Sequence, residues 1–340
     1  MMRAVRFLGN GRSDVAEVPD PDHGDGKVLL KVWASALCGS ENKSYFADAT
    51  TFQNGITYRI PGHEMSGEVV DPGRSSTLHA GDRVVVQIMD GCGECLYCRN
   101  GTYQFCEQLQ YAGSSHAQLI SLPEKCVIKA PDDIPYDTLV LLGGDTVGVA
   151  YRATQQLRLR PGQLVFISGA GPIGLGMIAL LKYYGCFVVV SELHDYRKAY
   201  AREHAGADLV LDPSVDDVNA RLRALTDGVG PEIIIECSGN PAAQLEALEH
   251  ARCKGTVLFA GENYKGLNII PSKHIIHKEL ELRGAFYFTA ADFYEIVAMY
   301  RRGFRVDHLV SHKVKLDDAP AVIADFAKGL TGKVIIHPQK

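Results

Sequence analysis

Leu164-Val165-Phe166-Ile167-Ser168 runs directly into Gly169-Ala170-Gly171-Pro172-Ile173-Gly174, and then into an apolar stretch from Ile173 to Tyr184. A short unbroken apolar run fits a strand buried on both faces, and a glycine turn that opens a helix behind it admits few folds. In that setting the first glycine permits the tight turn, the second lets a pyrophosphate approach the backbone, and the third lets helix pack on strand. The start of the helix then offers free N–H groups and the positive end of its dipole to a diphosphate. Glycine is 34 of 340 residues, so the spacing alone says little; the surrounding strand and helix carry the inference.

The alternation continues through a strand at Phe187 to Ser191, a charged helix from Asp195 to His204, and strands at Leu209 to Leu211, Glu232 to Glu236 and Gly255 to Phe259. Strands that alternate with helices imply a parallel, doubly wound α/β sheet. The second strand ends at Glu192, where an acidic side chain accepts hydrogen bonds from the adenine ribose hydroxyls. A carboxylate there repels a 2′-phosphate, which favours NAD over NADP, and Arg197 and Lys198 just downstream soften that preference.

Before about residue 135 the pattern differs. Lys27 to Ala34, Gly67 to Val70 and Val84 to Ile88 read as short strands between turns, with little long helical periodicity, so this half is β-rich. Beyond about residue 285 the pattern is mixed, with a helix near Ala290 to Arg302 and a final strand at Lys333 to Ile336. Four of the nine cysteines, Cys92, Cys95, Cys98 and Cys106, follow one another as C-x2-C-x2-C-x7-C. Four thiolates at this spacing close a tetrahedral zinc site with no open position, which makes that metal structural. Such crowding in a chain with no secretion signal argues for metal rather than disulfides. Cys126, Cys186, Cys237 and Cys253 lie in apolar or strand-like surroundings and read as buried structural thiols.

The chain is long enough for two domains. Its net charge of −5 comes without a basic run of the kind that binds nucleic acid, and no stretch approaches the roughly 20 apolar residues of a membrane helix. The first residues lack the apolar core and cleavage site of a signal peptide, so the expected location is cytoplasmic.

Cys38-Gly39-Ser40-Glu41, Pro61-Gly62-His63-Glu64, the four-cysteine lobe, the glycine fingerprint, Glu236-Cys237-Ser238-Gly239 and the closing Gly332-Lys333-Val334-Ile335-Ile336 together resemble the zinc-dependent medium-chain alcohol dehydrogenases, in particular their sorbitol, threonine and polyol branch. The resemblance covers nearly the whole chain. It implies a Rossmann doubly wound sheet plus a GroES-like β-rich catalytic domain, with residues 1–145 forming the catalytic domain, completed by 285–340, and residues 146–284 forming the NAD-binding domain. It implies a second, catalytic zinc in the cleft between them, held by Cys38 and His63, with an open position for a small alcohol or ketone. Ser40 matches the hydroxyl that starts the family's proton relay. Glu64 matches a carboxylate that touches the metal or its water, and Glu41 stands where an aspartate usually supports the ligand histidine. NAD is expected against Gly169, Gly171, Pro172, Ile173, Gly174, Glu192, Arg197 and Ser238. The family assembles as homodimers or homotetramers.

Two positions depart from the pattern. In register with the family's third zinc ligand stands Gly143, which has no side chain to offer. Asp145 or Glu64 completes the set, or Asp145 is a helix cap or a supporting group. Lys43 stands where many members carry a histidine that passes the relay proton to solvent. The reading is therefore an NAD-dependent zinc dehydrogenase of a secondary alcohol, with a polyol, sugar or (amino)cyclitol as substrate. Tyr45, Phe46, Asn54 and Tyr58 are candidate substrate contacts, or ordinary loop residues. The rival readings are a zinc-free reductase of quinones or enoyl compounds, which Gly143 favours, and a nucleotide-binding relative that has lost catalysis.

Overall fold

The computed structural model describes residues 1–51 and 57–340, so Asn54 lies outside the described residues. The chain divides into two compact units. One comprises Met1–Gly148, Phe288–Ala298 and Val310–Lys340; the other comprises Val149–Tyr287 and Met299–Leu309.

The second unit is built on a six-stranded parallel sheet. Across it the strands run Leu209–Leu211, Phe187–Ser191, Leu164–Ser168, Ile233–Glu236, Thr256–Phe259 and Glu281–Gly284. Numbered along the chain this is the order 3-2-1-4-5-6 of a doubly wound dinucleotide fold. The register sets Ser191, Ser168 and Glu236 side by side at the carboxyl edge, so the segments beginning at Glu192, Gly169 and Cys237 leave the sheet together. One face is covered by Phe166, Val189, Leu222, Ile234, Leu248 and Val257. The helix Pro172–Tyr183 is apolar almost all round because nine of its residues are buried. Glu281–Gly284 was not expected as a strand: it lies at the sheet edge with mostly exposed side chains, so no apolar run marks it.

The first unit contains a seven-stranded sheet in the order Val310–Lys315, Lys333–His337, Lys27–Ala36, Glu64–Asp71, Arg83–Val86 and Val127–Lys129, with Leu119–Pro123 also pairing to Lys27–Ala36. Lys27–Ala36 is the hub, since three strands pair with it. Its last residue, Ala36, lies opposite both Glu64 and Ile335. That register brings Cys38, His63 and the start of the closing strand to one end of the sheet. The strand expected to reach Ile88 stops at Val86. Two helices, Tyr136–Leu142 and Asp145–Thr154, follow the β-rich part and meet at Gly143-Gly144. Thr138 to Leu142 is buried on every side, which erases the period-3.6 signature of an amphipathic helix.

Among the described residues no helix is long and apolar enough to cross a membrane.

Candidate functional site

At the sheet end in the first unit, one ligand atom each from Cys38, His63, Glu64 and Asp145 lie within 4.8 Å of one another. Cys38 follows the hub strand; His63 and Glu64 open the neighbouring strand; Asp145 is the first residue of its helix. Asp145 Oδ2 lies 3.4 Å from Cys38 Sγ and 3.0 Å from His63 Nε2, so its side chain points into the cluster. Gly143, the position in family register, is packed against the sheet. A Cβ there would come within 2.8 Å of Val85 Cβ, so a larger residue would not fit as the chain now runs.

Glu64 is fully buried and pairs with Lys333, whose Nζ lies 2.6 Å from Glu64 Oε1 and 2.9 Å from Leu37 O. Nothing in the strand-like run Lys333 to Ile336 signals this role, because a lysine ordinarily marks an exposed position. Burial, with Asp145 adding to it, pushes the Glu64 carboxyl up to about 7 in spite of Lys333. Burial and Asp145 likewise push the Cys38 thiol up, while burial of His63 is outweighed by Cys38 and Asp145, which hold the imidazole well above its ordinary value.

The donor set fits a divalent metal on two counts. Glu64 Oε2 and Asp145 Oδ1 are buried and have no hydrogen-bond partner among the described residues. With the thiolate and both carboxylates ionised and Lys333 charged, the cluster carries two net negative charges, which a divalent ion neutralises. A thiolate, an imidazole and a carboxylate are a donor set that suits zinc.

Behind His63 stands Glu41, with Oε1 3.3 Å from His63 Nδ1. Burial alone would raise Glu41, but His116 and His63 bring it down to about 2. Ser40 is exposed, and its hydroxyl donates to Cys38 Sγ at 3.4 Å. Lys43 is also exposed. Of the substrate candidates, Tyr45 is not a surface contact: it is buried in the core with Phe7, Val334 and Ile336. Phe46 is exposed, and Tyr58 lies half-buried with the Arg6 guanidinium 5.0 Å from its ring centroid.

The four lobe cysteines also converge within 4.8 Å, and none of the nine cysteines forms a disulfide. Backbone N–H groups of Glu94 and Cys95 donate to Cys92 Sγ at 3.4 Å and lower its thiol to about 6, while burial pushes Cys98 up to about 12. A Cβ on Gly91 would lie 2.7 Å from Cys98 Sγ, so this turn closes only around glycine.

In the second unit Gly169 adopts φ +94° and abuts Ser238, while a Cβ on Gly174 would lie 2.1 Å from Gly169 O. The helix begins at Pro172 with no side chain capping it, and among the described residues beyond its chain neighbours a Cβ on Gly171 would meet just Arg197 Nη1, at 3.8 Å. That leaves room at the helix start for an anionic group. Glu192 Oε2 accepts from Ala170 N at 2.8 Å, and its Oε1 accepts from Leu193 N, His194 N and His194 Nδ1. Burial would raise Glu192, but these donors bring it below the ordinary carboxylate value. Ser238 is held by Glu236, which accepts from its N–H at 2.8 Å and from its hydroxyl.

Residues 24–132 match the family described as alcohol dehydrogenase GroES-like domain, and residues 172–302 match zinc-binding dehydrogenase. The L-threonine 3-dehydrogenase of Thermococcus kodakarensis is 31% identical over 342 residues, covering 96% of this chain and 95% of that protein. Among solved structures, an alcohol dehydrogenase from Thermus sp. ATN1 superposes with a TM-score of 0.89 at 26% identity, covering 99% of this chain and all of that one. The 2R,3R-butanediol dehydrogenase from Bacillus subtilis gives a TM-score of 0.82 at 27% identity, with 99% and 100% covered. With both halves matched and relatives aligned nearly end to end, the chain belongs to the zinc-type medium-chain alcohol dehydrogenase family.

Proposed function

We propose that this protein is an NAD-dependent dehydrogenase that interconverts a secondary alcohol and its ketone, with one catalytic and one structural zinc. The observation that carries the reading is the convergence of Cys38, His63, Glu64 and Asp145, in which Asp145 would supply the ligand that Gly143 cannot. Cys38, His63 and Asp145 would hold the catalytic ion, and Cys92, Cys95, Cys98 and Cys106 the structural one. When bound, zinc supplies Lewis acidity that lowers the pKa of a nearby hydroxyl, and oxidised nicotinamide accepts hydride.

The protein's own groups do the rest. Ser40, exposed beside Cys38, takes the proton of the substrate hydroxyl and passes it outward. Glu41 orients His63 so that Nε2 faces Cys38 and Asp145. Lys333 neutralises Glu64, whose free oxygen stays beside the ligand cluster. In the second unit, the turn Gly169 to Gly174 would hold the pyrophosphate and Glu192 the adenine ribose, and Arg197 and Ser238 border the same turn. Glu192 disfavours a 2′-phosphate, which supports NAD. The zinc-free reductase reading drew on Gly143 alone, and Asp145 within the donor cluster removes that ground.

For the substrate we propose a polyol, cyclitol or related secondary alcohol with a polar group on the adjacent carbon. L-Threonine and 2R,3R-butanediol, named in the relatives above, share that feature. The test is zinc content and NAD reduction over a panel holding L-threonine, 2,3-butanediol, sorbitol and inositol. The reading expects two zincs per chain and activity on at least one vicinal substrate. Asp145→Asn should lose one zinc and most turnover. Full zinc content and full activity in Asp145→Asn would overturn the assignment of the third ligand.

A further inference from the structure

His116 takes no part in the reading above, yet it is completely buried and joins a continuous polar chain that ends at His63. Ser35 Oγ lies 2.6 Å from His116 Nδ1, His116 Nε2 lies 3.0 Å from Glu41 Oε2, and Glu41 Oε1 lies 3.3 Å from His63 Nδ1. Each oxygen of Glu41 thus faces one histidine. Glu41 Oε1 is buried with no hydrogen-bond partner among the described residues, and His63 Nδ1 is its ion-pair contact at 3.3 Å.

The backbone locks the same arrangement. Ser114 N and Ser115 N donate to Gly62 O at 2.7 and 3.0 Å, His116 N donates to Pro61 O at 3.0 Å, and Val5 N donates to His116 O at 2.8 Å. Ser35 and Ser115 hydroxyls both reach Glu64 O, at 3.2 and 3.3 Å. Gly62 has φ +100°, and a Cβ on it would lie 2.6 Å from His116 N and 2.7 Å from His116 Nδ1. The glycine that precedes His63 is required both by its left-handed backbone and by the close pass of Ser115 and His116.

We infer that His116 is a positioning residue for the metal site, acting through Glu41 to fix the orientation and tautomer of His63. Glutamate has one more rotatable bond than aspartate, so its head group needs a second anchor before it can hold an imidazole in one orientation. His116 is that anchor; Ser35 holds it in turn, and the Ser115 hydroxyl lies 2.9 Å from that of Ser35. Groups behind a ligand histidine commonly change metal affinity by about 10- to 100-fold. This inference rests on the catalytic-metal reading of Cys38 and His63.

The test replaces the metal with Co²⁺ in the full-length protein and follows the ligand-field and thiolate-to-cobalt bands by titration, with Cys38→Ser assigning the signal of this site. His116→Phe fills the volume without polar atoms, and His116→Asn keeps polarity but falls short of Glu41. Both should weaken Co²⁺ binding on the order of 10- to 100-fold and shift the ligand-field bands. His116→Gln, which can donate to Glu41, should restore most of the affinity. If His116→Phe does not fold, His116→Asn carries the same comparison. Wild-type affinity and spectra in the Asn variant would overturn the inference and leave the metal reading intact. An equal loss in all three variants would also overturn it, because it would mark a merely structural position. Absence in the wild-type protein of any cobalt band sensitive to Cys38→Ser would instead sink the metal reading itself.

Discussion

Replacing Lys333 with methionine removes the positive charge from a fully buried ion pair while nearly preserving its volume. At 2.6 Å between Nζ and Oε1, the gross attraction is about 6 kcal/mol with an effective dielectric constant of about 20. Lys333→Met forfeits that attraction, regains the cost of dehydrating the ammonium, and leaves Leu37 O without the donor it has at 2.9 Å. Removing one partner of a buried pair typically costs about 3–5 kcal/mol. Here Glu64 provides an escape: already near 7 with Lys333 present, it takes up a proton once the lysine is gone. A carboxyl raised above its unfolded value loses stability as pH rises from the unfolded to the folded pKa. In the wild-type protein that loss ends near 7, whereas in Lys333→Met it continues upward, so the gap between the two widens above about pH 7 at about 1.4 kcal/mol per pH unit. Urea midpoints followed by circular dichroism at pH 6 and pH 9 measure this, and midpoints are the safer observable in a protein of two units. Adding Glu64→Gln to Lys333→Met should recover more than half of the loss. A Lys333→Met protein within about 0.5 kcal/mol of wild type, or a deficit equal at both pH values, would refute the argument.

Asp137 accepts from His337 at 2.7 Å and pairs with Lys313, and although burial opposes them these partners lower its carboxyl from 3.8 to about 2. A depressed carboxyl stabilises above its unfolded pKa and loses that contribution as pH falls, so the window is about pH 4 to pH 2. Asp137→Asn should cost about 1–2 kcal/mol at neutral pH and flatten the acid limb of the stability curve; curves parallel to wild type would contradict this. Gly144→Ala would place a Cβ 2.3 Å from Glu64 Oε2 and 2.4 Å from Val140 O, so it should lower thermal stability and weaken zinc retention together. Unchanged values of both would show that the Gly143-Gly144 joint has slack. Cys95→Ser should release one zinc, and limited proteolysis should then cut between Gly91 and Cys106 while the second unit stays resistant. A lobe that stays protected without its metal would contradict a structural role.

The nucleotide-binding unit was legible because its signals are local. A run such as Phe187 to Ser191 has the short unbroken apolar pattern of a buried parallel strand, and the turn after Ser168 needs glycine at 169 for its positive φ and at 174 for its close approach. The cysteine lobe was legible for the same reason, since its four converging thiols lie within one short loop. Cys38 and His63 were recognisable from motifs and not from periodicity, and the register of Ala36 against Glu64 is what brings them together.

Tertiary structure decided what depends on packing between distant segments. Nothing in the spacing of Leu142-Gly143-Gly144-Asp145 tells that Gly143 abuts Val85 and that Asp145 turns toward His63. Lys333 and Glu64 are 269 positions apart, and only the pairing of the closing strand with the hub strand buries them against each other. His116 is a solitary histidine in a serine-rich turn, and its tie to Glu41 spans 75 positions. The α/β and β-rich parts of the chain and most of the chemical groups are readable from local pattern, because turns, buried strands and short cysteine loops are set by neighbours along the chain. The turn of Asp145 toward His63, the burial of Lys333 and the approach of His116 to Glu41 arise only in three dimensions, because the burial of a charge is a property of the fold and not of its neighbours in sequence.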